Sequence, residues 1–178
     1  VIAPPSFANK WLIPRLDRYP GLSSKLDLRL STYSLPIDFS QHVMDIGVTI
    51  GWEVSAEFQR WPLLRYDLFP VCSPTLLNRG KPLRGPADLK QHILIHDESL
   101  RIHDRIDWRS YFEFAGLSGV DIASGLHFNR AADAYEAAIR GFGVTLAKSA
   151  LIHTDLASGR LVKLFDLSMP SEYSYDVI

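Results

Sequence analysis

Residues 3–16 (APPSFANKWLIPRL) contain the side chains whose types and spacing most clearly suggest ligand chemistry. Ser6 follows two prolines, so it stands where a helix N-cap is expected, with its hydroxyl accepting a hydrogen bond from a first-turn N–H. The free N–H groups and partial positive charge of a helix start can bind a carboxylate or a phosphate. A cap alone is the simpler explanation of an isolated serine. Pro14 predicts a kink or an early end of this helix.

Other candidates for chemistry fail on spacing or on order along the chain. His92 and His96 flank a predicted strand, where four residues span about 13 Å, too far to chelate one ion. The glycines of residues 141–143 (GFG) follow a predicted helix and precede a strand, the reverse of a dinucleotide-binding loop. No Gly-x-Ser-x-Gly elbow is present, and Lys148 and Lys163 are expected to be solvated. We therefore expect no metal, no cofactor and no enzymatic activity.

The amino-acid composition limits the classes of protein to which this chain can belong. The chain has 178 residues, 47% of them hydrophobic, and a net charge of −1, which suits one large globular domain or two small lobes. It lacks the basic excess of a DNA-binding domain, so any contact with DNA is expected outside this sequence. No apolar run reaches the roughly 20 residues of a membrane span. The single cysteine, Cys72, rules out an internal disulfide and favours a reducing compartment.

The first half of the chain alternates between strand and helix patterns. Residues 26–32 and 44–51 have the alternation of half-buried strands, and residues 37–43 between them predict a short helix. Residues 61–71 predict a strand that is too long for a small sheet unless it passes from one lobe to the other. Strand, helix and strand in this order indicate parallel α/β structure, in which ligands collect at the carboxyl ends of strands.

The second half continues the same alternation. Residues 93–96 and 126–128 predict strands, and residues 107–116 predict an amphipathic helix with an acidic first residue and a glycine stop. Asn129 is expected to cap a further helix whose apolar residues share one face. The closing residues 173–178 predict a strand rich in tyrosine.

In the order and spacing of its short motifs, the chain resembles the effector-binding domain of a LysR-type transcriptional regulator. The similar branch is the one typified by the glycine-cleavage and β-lactamase regulators. The matching stretches cover nearly the whole chain: residues 5–8 (PSFA), 11–16 (WLIPRL), 28–30 (LRL), 38–39 (DF), 45–47 (DIG), 69–74 (FPVCSP), 107–108 (DW), 141–146 (GFGVTL) and 155–162 (DLASGRLV).

The resemblance implies an α/β fold of two Rossmann-like lobes joined by two crossover strands, similar to type 2 periplasmic binding proteins. Lobe I would comprise residues 1–70 plus 165–178, and lobe II residues 71–164. The family's N-terminal winged helix-turn-helix domain is absent from this sequence, so DNA would be bound only through that missing domain. The resemblance further implies a bacterial, cytoplasmic protein without membrane contact, a homodimer of this domain and a tetramer at full length.

The same resemblance implies an effector in the cleft between the lobes. Hydroxyl, amide, imidazole and guanidinium groups at the corresponding positions suit a small polar ligand with an anionic group, such as an amino acid, a small carboxylate or a cell-wall peptide. The residues expected to contact the effector are Ser6, Phe7, Thr32, Thr49, Ile50, Gly51, His96, Asn129, Arg130 and Tyr175.

Two departures prevent the transfer of a particular effector from the family. Many relatives have an arginine near Thr49 and a pair of serines near Arg130 and Ala131, which this chain lacks.

A second class of protein, the solute-binding protein of a transport system, has the same two-lobed plan. The missing signal peptide and the motifs favour the regulator, and oligomeric state would separate the two, because transport receptors are usually monomers.

Overall fold

The contacts of the polypeptide divide it into two units. The computed structural model describes residues 1–19, 27–33, 44–51, 54–79, 81–103 and 105–178. Unit 1 comprises Val1–Arg65 with Tyr173–Ile178, and unit 2 comprises Tyr66–Glu172. The lobe boundaries expected from the resemblance, 1–70 plus 165–178 and 71–164, remain predictions. The helix expected at residues 37–43 lies outside the described residues.

Strands and helices alternate along the described chain, as the sequence predicts for an α/β protein. The strands are β1 (Ile2–Ala3), β2 (Ser31–Thr32), β3 (Val48–Ile50), β4 (Trp61–Cys72), β5 (Leu94–Asp97), β6 (Leu126–Phe128), β7 (Val144–Lys148), β8 (Val162–Lys163) and β9 (Met169–Val177). The α-helices are α1 (Pro5–Phe7), α2 (Pro74–Arg79), α3 (Glu98–His103), α4 (Trp108–Phe114), α5 (Ala131–Ile139) and α6 (His153–Ala157). Short 3₁₀ segments occupy Ile13–Arg18, Pro86–Gln91 and Ser149–Leu151.

The first helix of unit 1 changes its winding twice. After α1, Ala8–Leu12 forms a π turn, in which the Ile13 N–H bonds to the Ala8 carbonyl five residues back, and a 3₁₀ segment follows. The α winding thus stops at Phe7, before Pro14, and the 3₁₀ segment continues through Pro14 to Arg18. The kink or early end expected at Pro14 stays a prediction. The predicted cap is wrong: Pro4 is the N-cap residue, without a side-chain hydrogen bond, and Ser6 lies inside the helix.

The sheet segments of unit 1 join distant parts of the sequence. β1 pairs in parallel with β2, so Ile2 lies opposite Ser31 and Ala3 opposite Thr32. β3 pairs antiparallel with β9, and this places Ile50 opposite Tyr175. Of the strand predicted over residues 26–32, the described part, residues 27–32, has only its last two residues paired.

The sheet of unit 2 brings three parallel strands side by side. β5 runs parallel to both β6 and β7, whereas β7 and β8 run antiparallel to β4. The long strand predicted over residues 61–71 is confirmed as β4. Because β5, β6 and β7 are parallel, their carboxyl ends meet at one edge, where ligands collect in sheets of this kind.

Helices cover the sheet of unit 2 and fix its core. Asp107 caps α4 by accepting a hydrogen bond from the Ser110 N–H at 3.0 Å, as the acidic start predicts. Trp108 is 2% exposed and donates its indole N–H to the Ile95 carbonyl at 3.1 Å. The predicted cap of α5 is wrong, because Arg130 and not Asn129 occupies the N-cap position, and its side chain makes no capping hydrogen bond.

Lys148 differs from the solvated lysine that the sequence predicts. It is 2% exposed, and its ammonium lies 5.1 Å from the centroid of the Tyr66 ring. A cation over an aromatic face offsets part of the cost of leaving water. Lys148 is therefore packed in the core of unit 2 and is not solvated.

Cys72 is expected to be chemically inert in the folded protein. It is fully buried, and burial raises the pKa of its thiol to about 12, so almost no thiolate forms at pH 8. We expect no reaction of the native protein with Ellman's reagent at pH 8, and one thiol per chain after unfolding in guanidinium. Stoichiometric labelling of the native protein within minutes would contradict this burial.

Candidate functional site

Three of the predicted effector contacts, Phe7, Ile50 and Tyr175, lie together in unit 1. The Phe7 ring is 5.1 Å from the Tyr175 ring, and Tyr175 pairs with Ile50 across the β3–β9 ladder. Phe7 also stacks on Trp11, with ring centroids 5.0 Å apart. Ser6, the residue before Phe7, is 7% exposed. The beginning of the first helix and the end of β9 thus form one aromatic cluster.

Thr49 and its neighbours in unit 1 are more deeply buried than the sequence suggests. Thr49 is fully buried on β3, and its hydroxyl lies beside that of Tyr33, which donates to the Val48 carbonyl at 2.6 Å. Burial raises the pKa of Tyr33 above its ordinary value. Gly51 follows with a φ of 66°, which suits glycine, and Thr32 is exposed on β2.

A charged group beside Thr49 escaped the sequence analysis. Asp176 lies opposite Thr49 in the ladder and accepts hydrogen bonds from the guanidinium of Arg60 and the hydroxyl of Ser174. The Asp176 side chain is 4% exposed and that of Arg60 is 41% exposed. Residues 54–60 have no strand or helix pattern, so no sequence signal pointed to this ion pair. The ion pair places a half-exposed cation at the ladder position opposite Thr49, one of the predicted contacts.

The predicted contact His96 has an unexpected partner in unit 2. Parallel pairing of β5 with β6 sets His96 opposite His127, and the two rings stack with centroids 4.1 Å apart and planes 5° from parallel. His127 Nδ1 lies 2.9 Å from Glu98 Oε1, and His96 Nε2 lies 3.4 Å from the Ser124 carbonyl. Burial lowers the pKa of His96, and His127 lowers it further. The hydrogen bond from His127 lowers the pKa of Glu98.

A half-open cavity of about 290 Å³ lies beside this histidine pair. Apolar side chains and charged side chains of both signs share its wall. Its residues come from β5, α3, the start of α4 and the segment before β6: Ile95, His96, Asp97, Glu98, Leu100, Arg101, Asp107, Trp108, Arg109, Ile122, Ala123, His127 and Leu146. Among the predicted contacts in unit 2, it includes His96 alone.

The other two predicted contacts of unit 2 follow β6 directly. Asn129 and Arg130 link β6 to α5, and the Arg130 guanidinium donates to Asp133 at 2.7 Å. Both residues therefore belong to the same strand edge as the histidine pair. The described residues contain no group of three His, Cys, Asp or Glu side chains placed to hold a metal ion.

Comparison with known proteins identifies the family. The model of the LysR substrate binding domain matches residues 1–175. The chain belongs to the LysR substrate-binding domain family. The resemblance drawn from the sequence motifs is thereby confirmed, together with the α/β fold it implies.

The relatives that this LysR-family domain resembles are transcriptional regulators. The glycine cleavage system transcriptional activator of Escherichia coli K12 is 33% identical over 98% of this chain and 55% of its own length. The HTH-type transcriptional regulator PerR of the same organism is 34% identical over 89% of this chain and 50% of its own length. The chain thus spans about half the length of these curated relatives.

A solved structure supports the same assignment. The effector domain of the transcriptional regulator AmpR of Pseudomonas aeruginosa matches 99% of this chain and 82% of its own, with a TM-score of 0.77 and 27% identity. These three matched relatives are transcriptional regulators and not enzymes. Among the described residues, no helix has both the length and the hydropathy needed to cross a membrane.

Proposed function

We propose that this chain is the effector-sensing domain of a DNA-binding transcriptional regulator and that it binds a small polar effector with an anionic group. The match of the LysR substrate-binding domain over residues 1–175 is the observation that carries the proposal. DNA would be bound by a winged helix-turn-helix domain of the full-length regulator. The domain would act as a homodimer, and effector binding would change the geometry of a DNA-bound oligomer.

The chemistry of the predicted contacts supports an anionic effector. In unit 1 Arg60, whose side chain is 41% exposed, bonds to Asp176 at the ladder position opposite Thr49. In unit 2 the Arg130 guanidinium is half exposed at the strand edge that also bears His96. Guanidinium and imidazolium groups recognise carboxylates through charge-assisted hydrogen bonds. Amino acids, small carboxylates and cell-wall peptides are therefore the effectors to test.

Thermal unfolding against a panel of these compounds tests the proposal. At about 100 times its dissociation constant, a ligand stabilises the folded domain by about 2.7 kcal/mol, which raises the Tm by about 5–10 °C for a chain of this size. A selective shift for one chemical class is the expected result. A flat response across the panel would contradict the sensing function.

Substitutions in each unit then show whether the predicted contacts bind the effector. We expect Ser6→Ala and Arg130→Ala each to weaken binding by about tenfold, the typical loss of a hydrogen bond to a charged group. Ser55→Ala and Arg140→Ala replace exposed residues of the same types in the same units and should leave the affinity unchanged. A coupling energy above about 0.5 kcal/mol between Ser6 and Arg130 would indicate that one effector molecule contacts both units. Unchanged affinity in the folded double variant would place the site elsewhere.

A further inference from the structure

The carboxylates around the cavity of unit 2 already have partners within the protein. Asp97 Oδ1 accepts from the N–H and hydroxyl of Ser99, and Asp107 Oδ1 accepts from the corresponding groups of Ser110. Glu98 bonds to His127 and forms an ion pair with Arg101 at 3.5 Å. Each of these carboxylates thus accepts hydrogen bonds within the protein, and Glu98 also forms an ion pair.

Donor capacity remains on the cationic side chains of the same cavity. Arg109 has no ion-pair or hydrogen-bond partner in the part of the chain that the structure describes. Arg101 uses only its Nε atom toward Glu98, and its side chain is 70% exposed. Two guanidinium groups with spare N–H donors suit a ligand that presents oxygen acceptors, such as a carboxylate.

The histidine pair adds donors to this set only when it is protonated. The carbonyl of Ser124 and the carboxylate of Glu98 can only accept, so His96 carries its hydrogen on Nε2 and His127 carries its hydrogen on Nδ1. The remaining nitrogens, His96 Nδ1 and His127 Nε2, have no partner among the described residues. In a neutral ring each of these atoms is an acceptor and repels a carboxylate oxygen. After protonation the same atom becomes a donor to it.

The stacked geometry limits the pair to one proton. Two imidazolium rings whose centroids are 4.1 Å apart would repel each other, so the first proton opposes the second. The charged groups facing the rings from β5, α3 and the start of α4 are Asp97, Glu98, Arg101, Asp107 and Arg109. The buried residues of α5, which packs against β5 and β6, are uncharged.

We propose that the His96–His127 pair makes this cavity a proton-linked site for small carboxylates, in which binding of the anion is accompanied by uptake of one proton from solvent. The inference rests on the proposed function and specifies the ligand chemistry and the pH response of its unit 2 site. The proton is added to one ring nitrogen, which then donates a hydrogen bond to the carboxylate. Affinity therefore rises as the pH falls toward the range in which histidine titrates, and falls by up to about tenfold per pH unit above it.

Succinate serves as the probe, with neutral succinamide as its uncharged counterpart. Calorimetric titrations at several pH values between about 5.5 and 8, in PIPES and in Bis-Tris, give the affinity and the number of protons taken up. We expect succinate to bind most tightly at pH 5.5 with uptake of up to one proton, and succinamide not to bind. NMR should show the histidine ring signals of His96 and His127 shifting when succinate is added at pH 5.5.

Two variants test whether the proton that accompanies succinate binding is taken up by the His96–His127 pair. His127→Phe keeps a ring for stacking but removes both ring nitrogens of His127, so it should abolish most of the pH dependence of succinate binding, whereas replacing the exposed His153 by Gln should not. Should His127→Phe fail to fold, the NMR titration of the unmodified chain decides. A succinate affinity independent of pH, ring signals unmoved by succinate, or no binding at pH 5.5 would each overturn the inference. Each of these results is compatible with a positive ligand panel, so the sensing function would stand.

Discussion

Trp108→Ala is expected to lower the free energy of unfolding by about 3–5 kcal/mol, the usual cost of emptying a large aromatic site in a core. The side chain is 2% exposed and packs edge-on against Tyr111, with ring centroids 6.0 Å apart, and on Phe112 at 5.7 Å. The substitution also removes the donor to the Ile95 carbonyl on β5. Urea unfolding followed by circular dichroism measures the loss.

Two further variants separate the contributions of Trp108. Trp108→Phe keeps most of the apolar volume and removes the hydrogen bond, so it should cost about 1–2 kcal/mol, because Thr145 also donates to the same carbonyl. Trp61→Ala alters a tryptophan that is 53% exposed and should cost under about 1 kcal/mol. Equal losses for Trp108→Ala and Trp61→Ala would contradict the place of Trp108 in the core.

Gly125→Ala is expected to cost about 3 kcal/mol or more, because backbone atoms oppose the new methyl group. A Cβ at Gly125 would lie 2.1 Å from the Leu94 carbonyl oxygen and 3.1 Å from the His96 ring, and the φ of 144° is unfavourable for any other residue. The close approach allows β6 to pair with β5 and sets the two histidines in register. The variant should therefore also shift the ring NMR signals of His96 and His127.

Gly119→Ala provides the matched control for this prediction. Its φ is 67°, but nothing lies within 4 Å of the added Cβ. Only the strain of a left-handed backbone remains, about 1–2 kcal/mol. Similar losses of stability for the two alanine variants would show that contact with β5 is not what requires glycine at position 125.

Patterns local in sequence predicted the strands and the family well. The alternation and length of residues 61–71 predicted β4, and the acidic residue before a helical pattern predicted the cap of α4 by Asp107. Such patterns depend on neighbours a few residues apart, which any single sequence displays. The motif resemblance extended them to the family because its short stretches occur in a fixed order.

The N-cap residues of the helices and the pairing of the strands could not be predicted in the same way. Ser6 and Asn129 have cap-forming side chains, but Pro4 and Arg130 occupy the cap positions, since the chain before each helix sets where the first turn begins. The pairing of His96 with His127 depends on the register of two parallel strands joined by a long connection. Spacing along the chain points to His92 as the partner to consider for His96, since it does not contain the register of the sheet.

The composition of unit 1 has a consequence for how the protein folds. Unit 2 is one continuous stretch, Tyr66–Glu172, whereas unit 1 needs Tyr173–Ile178 to pair with β3. During synthesis the whole of unit 2 leaves the ribosome before Val177 can meet Val48. Unit 2 is thus free to fold first, and closing the long loop from β3 to β9 afterwards costs less entropy once the intervening chain is compact. The pairing of β3 with β9 must wait until residues 173–178 are synthesised, and during that interval chaperones have access to apolar surfaces of unit 1.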